Sequence, residues 1–249
     1  MTGFENTTSK KAPTLLVMAG GTGGHIFPGI AVAEMLKAQG WKIHWLGTEK
    51  RMEAKIVPEH GFDISFINIA GVRNKSLLER VKIPFQLLQS VLQSIAILRK
   101  VKPDVVLGMG GYASAPGGFA AWLMRIPLVL HEQNAVAGMT NRYLAKIATK
   151  VLSAFPNAFT ANIDFQVVGN PLRKEITALT PVIPENPSSS KKVLVVGGSL
   201  GAKILNETVP QALKQIQLQN IDVWHQTGRD NQTAVLASYK KFGLSEDKV

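Results

Sequence analysis

The sequence predicts an α/β protein made of two Rossmann-like domains with parallel sheets, the second of them incomplete within the 249 residues. Three observations support this class. An apolar segment, a glycine-rich turn and a segment with helical apolar spacing follow one another over residues 15–36. The same order returns over residues 193–206, which indicates a second domain of the same kind. Strands alternate with helices between these two points, as they do in parallel sheets with right-handed crossovers.

The elements of the first domain follow from hydrophobic periodicity and from the Gly and Pro residues that interrupt it. Apolar runs predict strands at 14–18, 42–47, 62–69, 103–108, 126–130, 150–153 and 165–173, the last ending in a turn. Helical spacing predicts helices at 26–39, 50–60, 71–100, 141–150 and through Trp122 and Met124. Glycine turns at 20–24 and 109–118 and the polar residues 131–134 follow three of the strands. Ligands of open α/β sheets bind at the carboxyl ends of strands, so these segments predict one site.

A proline- and serine-rich stretch at 180–190 predicts an exposed connection between the two domains. We place the boundary within residues 169–191 and assign 1–169 to the N-terminal domain and 170–249 to a linker and a partial C-terminal domain. One clear strand at 221–226 and a helix at 231–241 follow the second glycine turn. These elements cannot cover both faces of a parallel sheet, so we expect a natural continuation of roughly 100 residues.

The composition points to an anionic partner. A net charge of +11 and a pI of 9.9 favour a nucleic acid, a phosphorylated substrate or an anionic membrane face. Aromatic residues are few and no RNA- or DNA-binding motif occurs, which argues against nucleic acid. Cysteine is absent, so disulfides and thiolate metal sites are excluded. No stretch has the apolar core of a signal peptide or the length of about 20 apolar residues that spans a membrane.

The first glycine turn, Gly20-Gly21-Thr22-Gly23-Gly24-His25, is typical of a phosphate site, because backbone N–H groups converge there at a helix N-terminus. A dinucleotide fingerprint is disfavoured because Ile26 occupies the position of its third glycine. A P-loop is excluded because no Gly-Lys-Ser/Thr follows the glycines. There is no Asp-x-Asp pair and no group with metal-ligand spacing, so we expect neither a metal nor a cofactor.

Five motifs together resemble one enzyme family: Gly-Gly-Thr-Gly-Gly-His at 20–25, Met-Gly-Gly-Tyr at 109–112, His-Glu-Gln-Asn at 131–134, Gly-Asn-Pro-Leu-Arg at 169–173 and Gly-Gly-Ser-Leu-Gly-Ala at 197–202. The chain resembles the family-28 glycosyltransferases of peptidoglycan synthesis over residues 15–249. The resemblance implies a GT-B fold with an acceptor-side first domain and a donor-side second domain. It implies inverting, metal-independent transfer of N-acetylglucosamine from UDP-GlcNAc to the 4-hydroxyl of MurNAc in undecaprenyl-pyrophosphoryl-MurNAc-pentapeptide.

The resemblance also implies roles for individual residues. The matching positions are Thr22, Gly23, Gly24 and Asn134 in the donor-contacting loops, Arg173 and Ser199 beside the UDP moiety, Gly110, Gly111 and Tyr112 in the second motif, and His25 and Glu132 in acceptor handling or catalysis. Leu200 stands where some members have glutamine, which leaves that side-chain contact in doubt. The segment of the family that reads uridine and GlcNAc would lie beyond Val249.

The chemistry of these residues leaves alternatives open. Glycosyl transfer needs a base for the acceptor hydroxyl and stabilisation of the departing diphosphate. His25 is either that base or a hydrogen-bond donor to the acceptor pyrophosphate. Glu132 is either the base or a structural partner for a neighbouring N–H. The choice between ligand contact and a structural role stands open for Asn134, Arg173, Ser199 and Tyr112.

Apolar and basic residues also predict a docking patch for an anionic membrane surface. Its members are Leu77, Leu78, Val81, Phe85 and Trp122, with Arg80, Lys82, Arg142 and Lys146 around them. The alternative is an amphipathic helix that packs on the sheet with a solvated basic face. The family resemblance implies a peripheral enzyme at the cytoplasmic face of the bacterial inner membrane, acting in cell-wall biogenesis and hence in cell shape and division. The alternative function is an acceptor-lipid-binding fragment without catalysis, because its donor site is truncated.

Overall fold

The computed structural model describes residues 11–69, 83–160, 162–180, 191–198, 201–216 and 221–244. The chain forms two compact units, Met1–Leu179 and Thr180–Val249. Asn170 and Arg173, which lie in the stretch predicted to contain the linker, make contacts within the first unit. The Asn170 amide donates to the Gln133 carbonyl, and the Arg173 guanidinium lies over the Phe27 ring.

The first unit is a seven-stranded parallel sheet with helices on both faces, in the strand order β3-β2-β1-β4-β5-β6-β7. Its strands are β1 Thr14–Ala19, β2 Lys42–Gly47, β3 Asp63–Phe66, β4 Val105–Gly110, β5 Leu128–Glu132, β6 Lys150–Ser153 and β7 Gln166–Val167. Its helices are α1 Gly23–Ala38, α2 Glu53–Glu59, α3 Ile83–Val101, α4 Ser114–Leu123, α5 Met139–Leu144 and α6 Lys174–Thr177.

Alternation along β1 divides the core between the two faces of the sheet. Leu15 and Val17 pack on one face with Ile30 of α1 and Val57 of α2. Leu16 and Met18 pack on the other face, where α3, α4 and α5 supply apolar side chains such as Leu98, Ala120 and Leu144. All strands are parallel, so every connection after a strand of this sheet lies at the same edge.

The second unit has two parallel strands, β8 Lys191–Val196 and β9 Ile221–Gln226, and two helices, α7 Lys203–Ile216 and α8 Gln232–Lys241. Val195 and Val223 pack against Leu205, Val209 and Leu213 of α7. The opposite face of the pair is exposed: Leu194, Val196 and Trp224 are more than half accessible.

The predicted α/β class is confirmed, and several predicted elements differ in their limits. The helix predicted at 26–39 begins at Gly23, because the Thr22 carbonyl already accepts the N–H groups of His25 and Ile26, and the strand predicted at 62–69 spans Asp63–Phe66. The strand predicted at 165–173 spans only Gln166–Val167, because Gly169 turns the chain at φ +78° and Asn170 bonds to the β5 connection. The helix predicted at 141–150 is Met139–Leu144, because Lys146 and Ile147 donate to carbonyls three residues back and close the helix with tight turns. The helix predicted over 71–100 is described from Ile83 to Val101, and its first part lies outside the described residues.

Candidate functional site

The candidate site lies at the carboxyl edge of the seven-stranded sheet, where four strand ends meet. These ends are the glycine turn after β1, Gly110 at the end of β4, residues 132–134 after β5 and the Gly169 turn after β7. Side chains and backbone groups from these four segments contact one another.

The glycine turn presents unpaired backbone donors at the start of α1. Thr22 is the N-cap in extended conformation, and its carbonyl accepts the N–H groups of His25 and Ile26 at 3.2 Å each. The N–H groups of Gly23 and Gly24 stand in the first turn, where a helix supplies no carbonyl partner. The Thr22 hydroxyl makes no capping bond. This N-terminus therefore has the donors and the dipole that an anion requires.

Glu53 hydrogen-bonds to the backbone of the glycine turn, a contact that was not predicted from the sequence. Its carboxylate is 1% exposed. One oxygen accepts the Gly21 N–H at 2.9 Å, and the other accepts the Thr48 N–H at 3.0 Å and the Thr48 hydroxyl at 2.6 Å. The turn after β1 is thereby tied to the turn after β2. No local spacing signals this contact, because Gly21 and Glu53 are 32 residues apart.

Gly110 and Gly111 allow β4 to approach the glycine turn. Both have positive φ, +104° and +91°. A Cβ on Gly111 would collide with the carbonyl oxygen of Gly20. A Cβ on Gly110 would lie 3.1 Å from Cε1 of His25. Gly111 therefore lies against the backbone of the glycine turn, and Gly110 lies against the imidazole ring of His25.

His25 stands at the first end of a hydrogen-bonded series of side chains. Its Nδ1 lies 2.8 Å from Oε1 of Gln133, and Nε2 of Gln133 lies 3.0 Å from Nδ1 of His131. The His131 Nε2 lies 2.9 Å from the Gly169 carbonyl oxygen. His131 and Gln133 are buried and His25 is half-buried. Burial lowers the pKa of His131, against smaller opposing effects of the Gly169 carbonyl and of Glu132.

Glu132 is buried and accepts four hydrogen bonds. Oε1 takes the backbone N–H and the side-chain amide of Asn134 at 2.9 and 2.8 Å. Oε2 takes the Gly138 N–H at 3.1 Å and the Asn141 amide at 2.9 Å. Asn134 itself is exposed. The carboxylate therefore fixes the direction of an exposed amide at the strand end.

Arg173 reaches the same glycine turn through an aromatic ring. Its guanidinium lies 4.6 Å from the centroid of Phe27, which is a cation–π contact. Phe27 packs against Gly23, where a Cβ would lie 3.0 Å from the ring. Arg173 is half-buried, so the ring holds a cation close to the exposed N–H groups of α1.

An apolar groove of about 510 Å³ lies beside Tyr112. Its lining includes Ile83, Leu87, Phe119, Met139, Tyr143 and Lys146. Tyr112 is half-buried at this groove, and the Arg51 guanidinium lies 5.5 Å from its ring centroid. Trp122 lies 5.4 Å from Phe119, ring to ring.

The structure describes four members of the predicted membrane patch: Phe85, Trp122, Arg142 and Lys146. All four are exposed, with Phe85 at 73% and Trp122 at 45%. Lys146 lines the groove, and Trp122 contacts a ring that lines it. The remaining members of the predicted patch lie outside the described residues; they are Leu77, Leu78, Arg80, Val81 and Lys82. Ser199 of the second glycine turn also lies outside the described residues.

The second unit repeats the close approach of a glycine to a neighbouring strand end. The Gly198 N–H donates to the Gln226 side chain at 3.0 Å. A Cβ on Gly201 would collide with the carbonyl oxygen of Thr227, just as one on Gly111 would collide with Gly20. Both units thus use a positive-φ glycine to bring two strand ends together.

Two parts of the chain match the domains of a known protein family. Residues 15–153 match the N-terminal domain of glycosyltransferase family 28. The chain belongs to glycosyltransferase family 28. Residues 192–249 match the C-terminal domain of the same family. The family predicted from the five motifs is therefore confirmed.

Individual relatives support the same assignment. The chain is 60% identical over 243 residues to the UDP-N-acetylglucosamine–N-acetylmuramyl-(pentapeptide) pyrophosphoryl-undecaprenol N-acetylglucosamine transferase of Colwellia psychrerythraea, covering 96% of the chain and 63% of that relative. It is 56% identical over 234 residues to the transferase of the same name from Tolumonas auensis, covering 93% of the chain and 65% of the relative. The chain thus spans less than two thirds of the length of these family-28 proteins.

Solved structures agree with the fold. The crystal structure of Acinetobacter baumannii MurG has a TM-score of 0.72 and 38% identity, over 92% of this chain and 65% of that chain. A UDP-N-acetylglucosamine 2-epimerase with 14% identity has a TM-score of 0.60, which reflects a shared fold alone. The GT-B-type architecture predicted for a family-28 chain is confirmed.

Proposed function

We propose that the protein transfers N-acetylglucosamine from UDP-GlcNAc to undecaprenyl-pyrophosphoryl-MurNAc-pentapeptide, the reaction after which its relatives are named. The observation that supports this most is the 60% identity to the Colwellia psychrerythraea transferase over 96% of the chain. The glycine turn adds physical support, because its N–H groups and the neighbouring Arg173 suit a diphosphate.

The proposed reaction is an inverting displacement with His25 as the base. The imidazole Nε2 accepts the proton of the MurNAc 4-hydroxyl while that oxygen attacks the anomeric carbon of GlcNAc. The bond from this carbon to the diphosphate breaks, and UDP leaves with the electron pair. Arg173 and the N–H groups of Gly23 and Gly24 stabilise the diphosphate charge.

Two observations support His25 over Glu132 as the base. Glu132 is 1% exposed and its two oxygens already accept four hydrogen bonds. His25 is half-buried, and only its Nδ1 is engaged by Gln133. We therefore assign Glu132 to positioning Asn134, whose exposed amide suits sugar hydroxyls.

We propose that this transfer proceeds without a metal ion. Within the described ranges, no three His, Asp or Glu side chains are grouped as metal ligands would be. Cationic and N–H donors around Gly23 supply the charge stabilisation that a metal gives in other transferases. Transfer that is unchanged by EDTA supports this proposal, and restoration of chelated enzyme by Mg²⁺ contradicts it.

The decisive experiment measures transfer of radiolabelled GlcNAc to the acceptor lipid. We expect His25→Ala to lower kcat by about 10²–10⁴-fold, the usual contribution of a general base. The assay is run on this chain and on the Colwellia psychrerythraea relative with the residue aligned to His25 replaced. Near-native turnover of the relative's variant contradicts the role of His25, whereas inactivity of this chain alone does not.

Calorimetry with UDP-GlcNAc distinguishes the proposed transferase from the alternative, an acceptor-lipid-binding fragment without catalysis. The chain covers 63% of its Colwellia psychrerythraea relative, which favours a test of donor binding in this chain itself. Saturable heat supports a working donor site. Absence of heat, together with retained binding of the acceptor lipid, supports the acceptor-binding fragment.

We further propose that the apolar groove side docks on the anionic cytoplasmic face of the inner membrane. Leu87, Phe119 and Lys146 line this groove and are exposed. Phe85 and Leu88 on α3, Trp122 on α4 and Arg142 on α5 are exposed on the helices that supply the groove lining. We propose a peripheral contact. No described helix is long and apolar enough to cross a bilayer.

Sedimentation with phosphatidylglycerol-containing vesicles tests the docking. We expect the double variant Arg142→Glu, Lys146→Glu to lose vesicle binding and salt to weaken the wild type. Lys55→Glu is the matched control, because Lys55 is exposed on α2 at the opposite face of the sheet. Equal binding by both variants contradicts the proposed surface.

A further inference from the structure

The orientation of the Gln133 amide is fixed by a backbone carbonyl. Its Nε2 lies 2.9 Å from the carbonyl oxygen of His131, and a carbonyl oxygen can only accept. The nitrogen of the amide therefore points to His131 and the oxygen points to His25. The same nitrogen also lies 3.0 Å from Nδ1 of His131.

This orientation determines the proton positions on both histidines. Gln133 Oε1 accepts, so the His25 nitrogen at 2.8 Å must carry the proton, and that nitrogen is Nδ1. The second Gln133 hydrogen points to His131 Nδ1, so that nitrogen is unprotonated. Neutral His131 then carries its proton on Nε2, where the Gly169 carbonyl accepts it at 2.9 Å.

We propose that Gln133 is a positioning residue that holds neutral His25 in the Nδ1–H tautomer, with the lone pair on Nε2. The inference rests on the proposed role of His25 as base and names the residue that makes Nε2 the basic nitrogen. The contact is anchored at its far end, because His131 donates to Gly169 and the Asn170 amide donates to the Gln133 carbonyl.

The surroundings of this series are built to keep it in one arrangement. Gln133 is 7% exposed, so water does not compete for its amide. Gly110 lies against the His25 ring, which limits rotation of the imidazole away from Gln133. Burial keeps His131 neutral near pH 7, so that its Nδ1 remains an acceptor.

Nitrogen-15 NMR of histidine-labelled protein tests the proposal without any assay of transfer. The chain contains five histidines, and His25→Asn identifies the resonances of His25. Above pH 7.5 we expect a proton-bearing Nδ1 and a bare Nε2 on His25, and the reverse on His131. A proton on Nε2 of His25 in the wild type overturns the proposal.

Two variants extend the test. We expect Gln133→Met to move the proton of His25 to Nε2, the tautomer preferred by free histidine, while His131 keeps its Nε2–H. Gln93→Met is the matched control, because Gln93 accepts the Asn68 N–H away from this series. Loss of the Nδ1–H form in that control, or its persistence in Gln133→Met, contradicts the proposal.

Kinetics of the Colwellia psychrerythraea relative, substituted at the position aligned with Gln133, distinguish this inference from the proposed function. A positioning residue predicts a kcat lowered by about 10-fold or more with little change in KM for UDP-GlcNAc. If Gln133→Met changes the His25 tautomer but the substitution in the relative leaves kcat unchanged, the catalytic role of His25 is contradicted and the positioning role of Gln133 is not. If Gln133→Met leaves the His25 tautomer unchanged, the positioning role is contradicted, whatever the activity of the His25→Ala variant.

Discussion

The Glu53 carboxylate accepts the Gly21 N–H at 2.9 Å and so ties the glycine turn to α2. Its other oxygen accepts the N–H and the hydroxyl of Thr48. Both oxygens therefore face donors, and a hydrogen-bond donor in place of either one would leave a donor facing a donor. Three N–H and O–H groups thus donate to the two oxygens of this side chain. The shape of the proposed phosphate site therefore depends on a carboxylate that does not belong to it.

The first prediction is that Glu53→Gln destabilises the first unit and displaces the glycine turn. The glutamine amide must present its NH₂ either to the Gly21 N–H or to the two donors of Thr48. Leaving one buried donor unsatisfied costs about 1–3 kcal/mol. Urea unfolding should show this loss, and amide exchange of Gly21 should become faster.

Glu59→Gln is the control for this prediction. Glu59 stands on the same helix, is exposed and forms only a 3.9 Å surface pair with Lys55. We expect a change of under about 0.5 kcal/mol there, as for other surface sites. Equal losses in the two variants would contradict the bracing role of Glu53.

The second prediction compares two glycines of similar conformation. Gly111 and Gly40 have φ of +91° and +87°, so alanine at either costs about 1–2 kcal/mol of backbone strain. A Cβ at Gly40 meets nothing within 4 Å, whereas one at Gly111 collides with the Gly20 carbonyl. Overpacking should add about 1–3 kcal/mol to Gly111→Ala alone, measured by urea unfolding. Similar losses in both variants would contradict the close approach of the two strand ends.

The third prediction concerns Arg173, which we propose as a partner of the donor diphosphate. Its removal should lower kcat/KM for UDP-GlcNAc by about 10–100-fold, because a charge-assisted hydrogen bond contributes about 1.5–3 kcal/mol. Arg173→Lys should recover little of this, since lysine lacks the planar group that stacks on Phe27.

Lys174→Ala controls for the loss of one positive charge. Lys174 is the exposed neighbour of Arg173 on the same turn. The assays use this chain and its Colwellia psychrerythraea relative with the aligned residues replaced. An equal effect of both alanine variants in the relative would assign the role to net charge alone.

The sequence was sufficient for features that depend on neighbouring residues. The order of strand, glycine turn and helix over residues 15–36 predicted β1 and a helix directly after the turn, because apolar periodicity and glycine conformation act locally. The start of that helix was predicted three residues too late, since α1 begins at Gly23 and includes His25. Gly110 and Gly111 were identified as a motif, and the structure adds that their missing side chains make room for His25 and Gly20.

Features that depend on tertiary register could not be predicted. Gln133 contacts His25 across 108 residues, and Glu53 contacts Gly21 across 32. Neither contact leaves a periodic signal in the chain. The sequence also left Glu132 open between base and structural partner, since only the fold brings Gly138 and Asn141 to its second oxygen.

The fourth prediction follows from the lowered pKa of buried His131. In the unfolded chain a histidine has a pKa of about 6.5, so on acidification the unfolded state binds the proton first. Stability is therefore fully present above pH 6.5 and falls as the pH drops toward the lower pKa of the folded state. His131→Gln, which keeps a donor toward Gly169, should show a weaker loss of stability between pH 7.5 and 5.5, by at most one proton's worth of slope. Urea unfolding at several pH values measures the difference, with His60→Gln at a half-exposed histidine as the control. A slope in His131→Gln equal to that of the wild type would mean that His131 binds its proton equally well in both states, contrary to its burial beside Gln133.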